Sequence, residues 1–238
     1  MEQAEYALMD EAEGRMWWYR ALHARLIDAL APVRGLVCDA GCGTGGFLAR
    51  LSLARPDLDL IGCEYDEGAI ARARTKSPAS FVRGSINALP FADASLDGLV
   101  TADVLCHAAV DPAAALAEIR RVLRPGGVMV ANMPSYQWLA SAHDLRVANA
   151  RRTTRTAFRA QILTAGLIPH RVFYWNSLLL PLMVAQRKIL ARRHDSASDV
   201  AIFPPWLDLT LHGITQVERA LPKLMPAGGS ILAIATRP

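Results

Sequence analysis

Asp39 stands directly before a loop of closely spaced glycines, Gly41, Gly43 and Gly46, in the stretch L-V-C-D-A-G-C-G-T-G-G. Glycines at this spacing let a backbone approach a ligand closely, and the run satisfies the G-x-G-x-x-G fingerprint of dinucleotide sites. Glu64 supplies an acid near the expected distance downstream, at the end of L-D-L-I-G-C-E-Y-D, where it can accept two hydrogen bonds from ribose hydroxyls. Asp39 separates the alternatives: its carboxylate would repel a pyrophosphate and attract a cationic amino group. Two histidines, His107 in V-L-C-H and His143 in S-A-H-D-L-R, are the candidate bases at neutral pH.

These residues need a scaffold that brings them to one edge. Residues 15–31 carry apolar positions at helical spacing and stop at Pro32. A strand at 35–40 follows, and the pattern then repeats: helix 45–54, strand 58–63, helix 66–75, strand 79–83, strand 96–102, helix 112–124, strand 127–132. Such alternation predicts an α/β fold with a parallel sheet and helices on both faces. A helix at 155–165 ends at Gly166 with Pro169 beyond, and a strand at 170–175 follows. Two helices, 178–193 and 205–220, then intervene before a last strand at 230–236.

With 238 residues, 52% apolar and 20% charged, the chain is expected to form one well-buried domain. Its parts are a helical cap (1–34), a cofactor core (35–135), a substrate-side segment (136–177), a helical insertion (178–228) and the last strand (229–238). Cys38, Cys42, Cys63 and Cys106 form no C-x-x-C pair, which argues against a metal site or a disulfide framework and for a cytoplasmic setting. No apolar run reaches membrane-spanning length.

The linked motifs resemble a family. D-A-G-C-G-T-G resembles motif I of the class I S-adenosylmethionine-dependent methyltransferases, and I-G-C-E-Y-D resembles their second motif. V-R-G-S-I-N-A-L-P-F-A-D-A-S-L-D-G-L-V-T-A-D-V-L-C-H and R-R-V-L-R-P-G-G-V-M-V are similar to later segments of the type 11, small-molecule subset. The resemblance implies a Rossmann-like fold: a seven-stranded, mostly parallel sheet with an antiparallel last strand, and a helical insertion before it. It implies S-adenosylmethionine as cofactor. Asp39, Gly41, Cys42 and Gly43 would then lie near the methionine moiety, Glu64 on the ribose, and Tyr65 on the adenine face. Ser85 and Ile86 fall where the family reads the adenine edge, with serine replacing the usual aspartate. Thr101 would face the sulfonium, and Arg20 in M-W-W-Y-R would pair with the methionine carboxylate, with Trp18 and Tyr19 closing over the substrate.

On the acceptor side the resemblance implies His107 at the site mouth and His143 in the segment lining the acceptor pocket. Tyr136 and Trp138 follow the fifth strand and would reach the substrate. Arg151 and Arg152 stand near the family's H-x-R-R-Y, here with Asn149 and without the tyrosine, and are candidates for an anionic group. The insertion, L-L-L-P-L-M-V-A-Q-R-K-I-L-A-R-R, has an apolar front and a basic tail, which fits a lid, a homodimer face or a peripheral membrane contact. A small, apolar acceptor (lipid, isoprenoid or other natural product) fits better than nucleic acid, for which no aromatic-and-basic platform is present. The rival readings are a same-fold protein catalysing a cyclisation and a nicotinamide oxidoreductase.

Overall fold

A computed structural model of the chain describes residues 3–187, 203–221 and 225–238. Two helices lead in, α1 (Gln3–Ala12) and α2 (Trp17–Ala29). The alternating core follows: β1 (Gly35–Ala40), α3 (Gly46–Ala54), β2 (Leu58–Glu64), α4 (Glu67–Lys76), β3 (Ser80–Arg83), β4 (Leu96–Ala102), α5 (Pro112–Val122) and β5 (Leu123–Pro134). Beyond it lie a short α6 (Ala142–Arg146), α7 (Arg155–Thr164), β6 (Ile168–Trp175), α8 (Leu180–Ala185), α9 (Pro205–Ala220) and β7 (Ser230–Thr236).

Local chemistry starts several of these helices. The Asp66 side chain accepts the Ala69 N–H at 2.8 Å to cap α4, and Asp111 caps α5 with Pro112 as the first helical residue. Thr154 caps α7 by accepting the Ala157 N–H, and Gly166, at φ 76°, turns the chain out of it.

The strands form one seven-stranded sheet in the order β3-β2-β1-β4-β5-β7-β6. Only β7 runs antiparallel, inserted between β5 and β6, as the sequence predicts. One sheet face packs on α5 and α7 through Leu99, Met129, Leu116, Ile119, Phe158 and Ile162. The other packs on α2 and α3 through Val37, Val100, Val130, Leu22, Leu26 and Phe47. This double burial explains the near-continuous apolar runs in β1, β4 and β5.

Three differences from the sequence reading stand out. The N-terminal helix α1 and the short α6 are not predicted, and β5 begins at Leu123, four residues before the expected start at 127. The predicted helix 178–193 is seen as α8, with residues 188–202 outside the described part. Helix α9 joins α2 through charged contacts: Arg20 pairs with Asp208, Arg219 with Asp28, and Arg25 donates to the Thr215 carbonyl at 2.8 Å. Among the described residues no helix is long and apolar enough to cross a membrane.

Candidate functional site

The carboxyl ends of β1, β2, β4, β5 and β6 converge on a cavity of about 770 Å³, roofed by α1 and α2. Such an edge, where strand order reverses between β1 and β4, is where open α/β sheets bind ligands. The glycine loop forms its floor. Gly41 holds φ 85° and lies so close to Val104 that a Cβ would come within 2.3 Å of its Cγ2. Gly43 holds φ 52°, under the Met9 side chain. Larger residues would fill this floor and strain its backbone.

Asp39 is buried (4% exposed) on the cavity wall, and no hydrogen-bond donor meets it among the described residues. Burial, reinforced by Glu64 and Glu13, pushes its carboxyl up to about 8. In the protein alone Asp39 is therefore largely a neutral acid at neutral pH. A cation placed beside it would draw the proton off. Glu64 is fixed differently: Oε2 accepts the Gly43 N–H at 2.9 Å and Oε1 accepts the Tyr65 and Asp66 N–H groups at 2.8 and 3.0 Å. The Tyr6 hydroxyl also hydrogen-bonds it. The carboxylate is thus locked in orientation at the cavity edge.

Cys42, Tyr65, Ser85 and Ile86 line the same cavity, as do Trp18 and Tyr19. Trp18 also stacks on Trp175 at 6.0 Å, so its ring serves both the core and the wall. His107 lines the cavity, with its pKa lowered by burial and by Arg151. His143 lies on α6, but its side chain is outside the described residues.

Several expected residues are elsewhere. Thr101 is fully buried, and the two-residue alternation of β4 turns it to the face shared with Leu99, away from Asp39; Ala102 lines the cavity instead. Arg20 is on the side of α2 that meets α9 and pairs with Asp208, so its charge is already matched. Tyr136 stacks on Tyr174 at 5.3 Å and on Trp138 at 5.6 Å, and this aromatic group lies off the cavity wall. Arg151 donates to the carbonyls of His107 and Val110 at 2.7 and 2.8 Å, bracing the loop after β4. Arg152 does reach the cavity, but its anionic partner is internal: it forks onto Asp144 at 2.8 and 2.9 Å. Burial alone would raise the Asp144 pKa; Arg152 outweighs it and holds the carboxyl below its ordinary value.

Sequence reasoning missed Asp103. It follows β4 at φ 55°, on the cavity wall, and its Oδ1 accepts the Asn132 side-chain N–H at 2.9 Å. Burial raises its carboxyl to about 6, against the lowering pull of Asn132 and Arg152. An acid at a strand's carboxyl end, as at Glu64, was the available signal. The cavity-facing residues Tyr6 and Met9 of α1, and Glu13 just after it, were also missed.

Residues 38–131, the stretch from β1 through β5, match the family model described as a methyltransferase domain. That stretch, less than half of the chain, carries the glycine loop, Asp39 and Glu64. Among curated relatives, the chain is 37% identical over 125 residues to a demethylmenaquinone methyltransferase of Beutenbergia cavernae, covering 51% of the chain and 49% of the relative. It is 36% identical over 133 residues to a malonyl-[acyl-carrier protein] O-methyltransferase of Dechloromonas aromatica, covering 55% and 48%. The chain spans about two fifths to half the length of the curated relatives it matches. Among solved structures, its fold is similar to that of a complex between the Trm112 methyltransferase activator of Haloferax volcanii and a methyltransferase, with a TM-score of 0.66, 22% identity, and 99% and 95% of the two chains covered. That match concerns the fold.

Proposed function

We propose that the chain binds S-adenosylmethionine along the glycine loop and transfers its methyl group to a small, largely apolar acceptor. The observation that carries this reading is Asp39: a buried carboxyl without a donor, beside a glycine floor that admits close backbone approach. A cationic amino-acid end satisfies it and a pyrophosphate does not, which disfavours the nicotinamide alternative. The chemistry of the residues therefore fits the family's cofactor. When bound, that cofactor offers an electrophilic methyl group on a cationic sulfur.

The chain's own residues do the rest. Asp39 would receive the ammonium and Glu64 the ribose hydroxyls, while Tyr65 and Ile86 flank the adenine and Ser85 reads its edge. Trp17, Trp18, Leu22 and Phe47 give the cavity an apolar wall that excludes water and suits an apolar acceptor. The name of the demethylmenaquinone relative, which refers to an apolar quinone, supports the same acceptor class.

Calorimetry tests the reading. S-adenosylhomocysteine is expected to bind with micromolar or tighter affinity and NAD not at all. Binding of NAD alone would overturn the assignment. Transfer itself is read by incubating labelled S-adenosylmethionine with lipid and natural-product fractions. Accumulation of an unmethylated isomer without label would show the cyclisation alternative instead.

A further inference from the structure

Of the cavity acids not placed on the cofactor, Glu13 and Asp144 are ion-paired and Asp66 caps a helix, whereas among the described residues Asp103 is neither paired with a cation nor a cap. Its neighbour Val104 packs against Gly41 of the glycine loop, and Asp103 lines the same cavity as Asp39. Its orientation is held from behind by a chain of two hydrogen bonds: Trp175 Nε1 donates to Asn132 Oδ1 at 2.8 Å, and Asn132 Nδ2 donates to Asp103 Oδ1 at 2.9 Å. Trp175 and Asn132 are buried, so the amide orientation is determined by the indole donor. Oδ2 of Asp103 has no hydrogen-bond partner among the described residues. The left-handed backbone at φ 55° is tolerable for aspartate, and such conformations concentrate at functional positions.

We infer that Asp103 is the general base of this site and that the acceptor it serves carries an acidic hydroxyl, of phenol or enol type, on an apolar body. The inference rests on the proposed methyl transfer. Asp103 Oδ2 takes the hydroxyl proton as the oxygen's electron pair forms the bond to the methyl carbon; the electrons of the broken sulfur–carbon bond remain with sulfur. The products are the methyl ether, S-adenosylhomocysteine and a protonated Asp103, which returns its proton to water. A neutral hydroxyl oxygen is a weak nucleophile, so loss of its proton to a positioned base as the bond forms is what the step requires.

His107 is less suited to this role. Its Nδ1 faces the Ala109 N–H at 3.4 Å, too long to hold the ring in one tautomer, and among the described residues no side chain orients it. The charged and titratable groups around Asp103 come from several elements: Arg152 and Asp144, paired with each other, and the Cys106 thiol on the same loop, itself raised by burial. Burial, aided by Asp144, outweighs Asn132 and Arg152 and raises the Asp103 carboxyl to about 6.

The test uses the full chain saturated with S-adenosylhomocysteine and titrated with 2-naphthol, whose fluorescence reports both binding and ionisation. Wild-type protein is expected to bind 2-naphthol more tightly as pH rises through about 6. Asp103→Asn should abolish that pH dependence, keep S-adenosylhomocysteine affinity within about two-fold, and reduce methylation of 2-naphthol by at least ~100-fold. Asp103→Glu should restore part of the loss. In carboxyl-detected NMR, a titration assigned to Asp103 should move to higher pH in Asn132→Leu, which a merely structural asparagine would leave in place. No binding of 2-naphthol, or an unchanged profile in Asp103→Asn, overturns the inference. A more than ten-fold loss of S-adenosylhomocysteine affinity in Asp103→Asn also overturns it, because Asp103 would then serve the cofactor. Failure of wild type to bind S-adenosylhomocysteine defeats the underlying methyltransferase reading instead.

Discussion

The side chain of Met9 lies over Gly43 so closely that a Cβ on the glycine would come within 2.8 Å of the methionine Cε. Helix α1 is thereby set directly on the glycine loop, and charged contacts hold it there. Asp10 and Glu13 pair with Lys76, Asp10 also with Arg72 at 3.1 Å, and Glu13 accepts the Thr44 hydroxyl at 2.8 Å. In Lys76→Met, α1 should release more readily. Hydrogen exchange in residues 6–12 should accelerate by about ten-fold, the equivalent of ~1.4 kcal/mol of local opening, while β1 and β4 keep their protection. Equal acceleration throughout would mean that Lys76 supports the whole fold.

Gly43→Ala should cost about 1–2 kcal/mol of stability because of its left-handed backbone, read as a fall in the urea midpoint. The Met9 contact is with the flexible end of a side chain and should add little. Met9→Ala introduced into Gly43→Ala should therefore leave the stability loss in place.

Asp39 yields a pH prediction with a defined sign. Its folded-state pKa, about 8, lies above the value near 3.9 expected in an unfolded chain. The protein without cofactor should be favoured by this group below about pH 4 and lose that contribution as pH rises through about 8. Asp39→Asn should flatten that fall, measured by thermal unfolding across the range. The same linkage makes cofactor binding at pH 7 release close to one proton from Asp39, detectable by calorimetry in buffers of different ionisation enthalpy. Asp39→Asn should abolish the release and weaken binding.

Glu64→Ala should weaken S-adenosylhomocysteine binding by about 1–3 kcal/mol through lost charged hydrogen bonds. Because Glu64 also receives three backbone N–H groups, the melting temperature should fall with it. An affinity that is unchanged in the folded variant would contradict the ribose assignment.

Arg152→Ala leaves Asp144, 3% exposed, without the guanidinium that forks onto it, with Arg187 as the remaining cation near it, and should destabilise the protein by up to roughly 3–5 kcal/mol in urea unfolding. The double variant Arg152→Ala with Asp144→Ala should recover part of that loss, since no uncompensated charge remains. Additive losses would show that the two residues act separately.

The sequence by itself determined the order of the core elements, because strands buried on both faces read as apolar runs and the helices between them carry their own caps, such as Asp66 and Asp111. It also marked the glycine loop and the acid before it, since the backbone freedom of Gly41 and the carboxyl of Asp39 are conveyed by their identities alone. Tertiary structure decided what depends on direction. Thr101 and Ala102 differ by one step of the pleat, and only the register with β1 turns Ala102 and not Thr101 to the cavity. Arg20, Arg151 and Arg152 look alike in sequence, yet their partners lie 188, 44 and 8 residues away along the chain, so their roles came from packing. The same holds for Asp103: an acid at a strand end is legible, but its free oxygen depends on an asparagine and a tryptophan that folding brings in from β5 and β6.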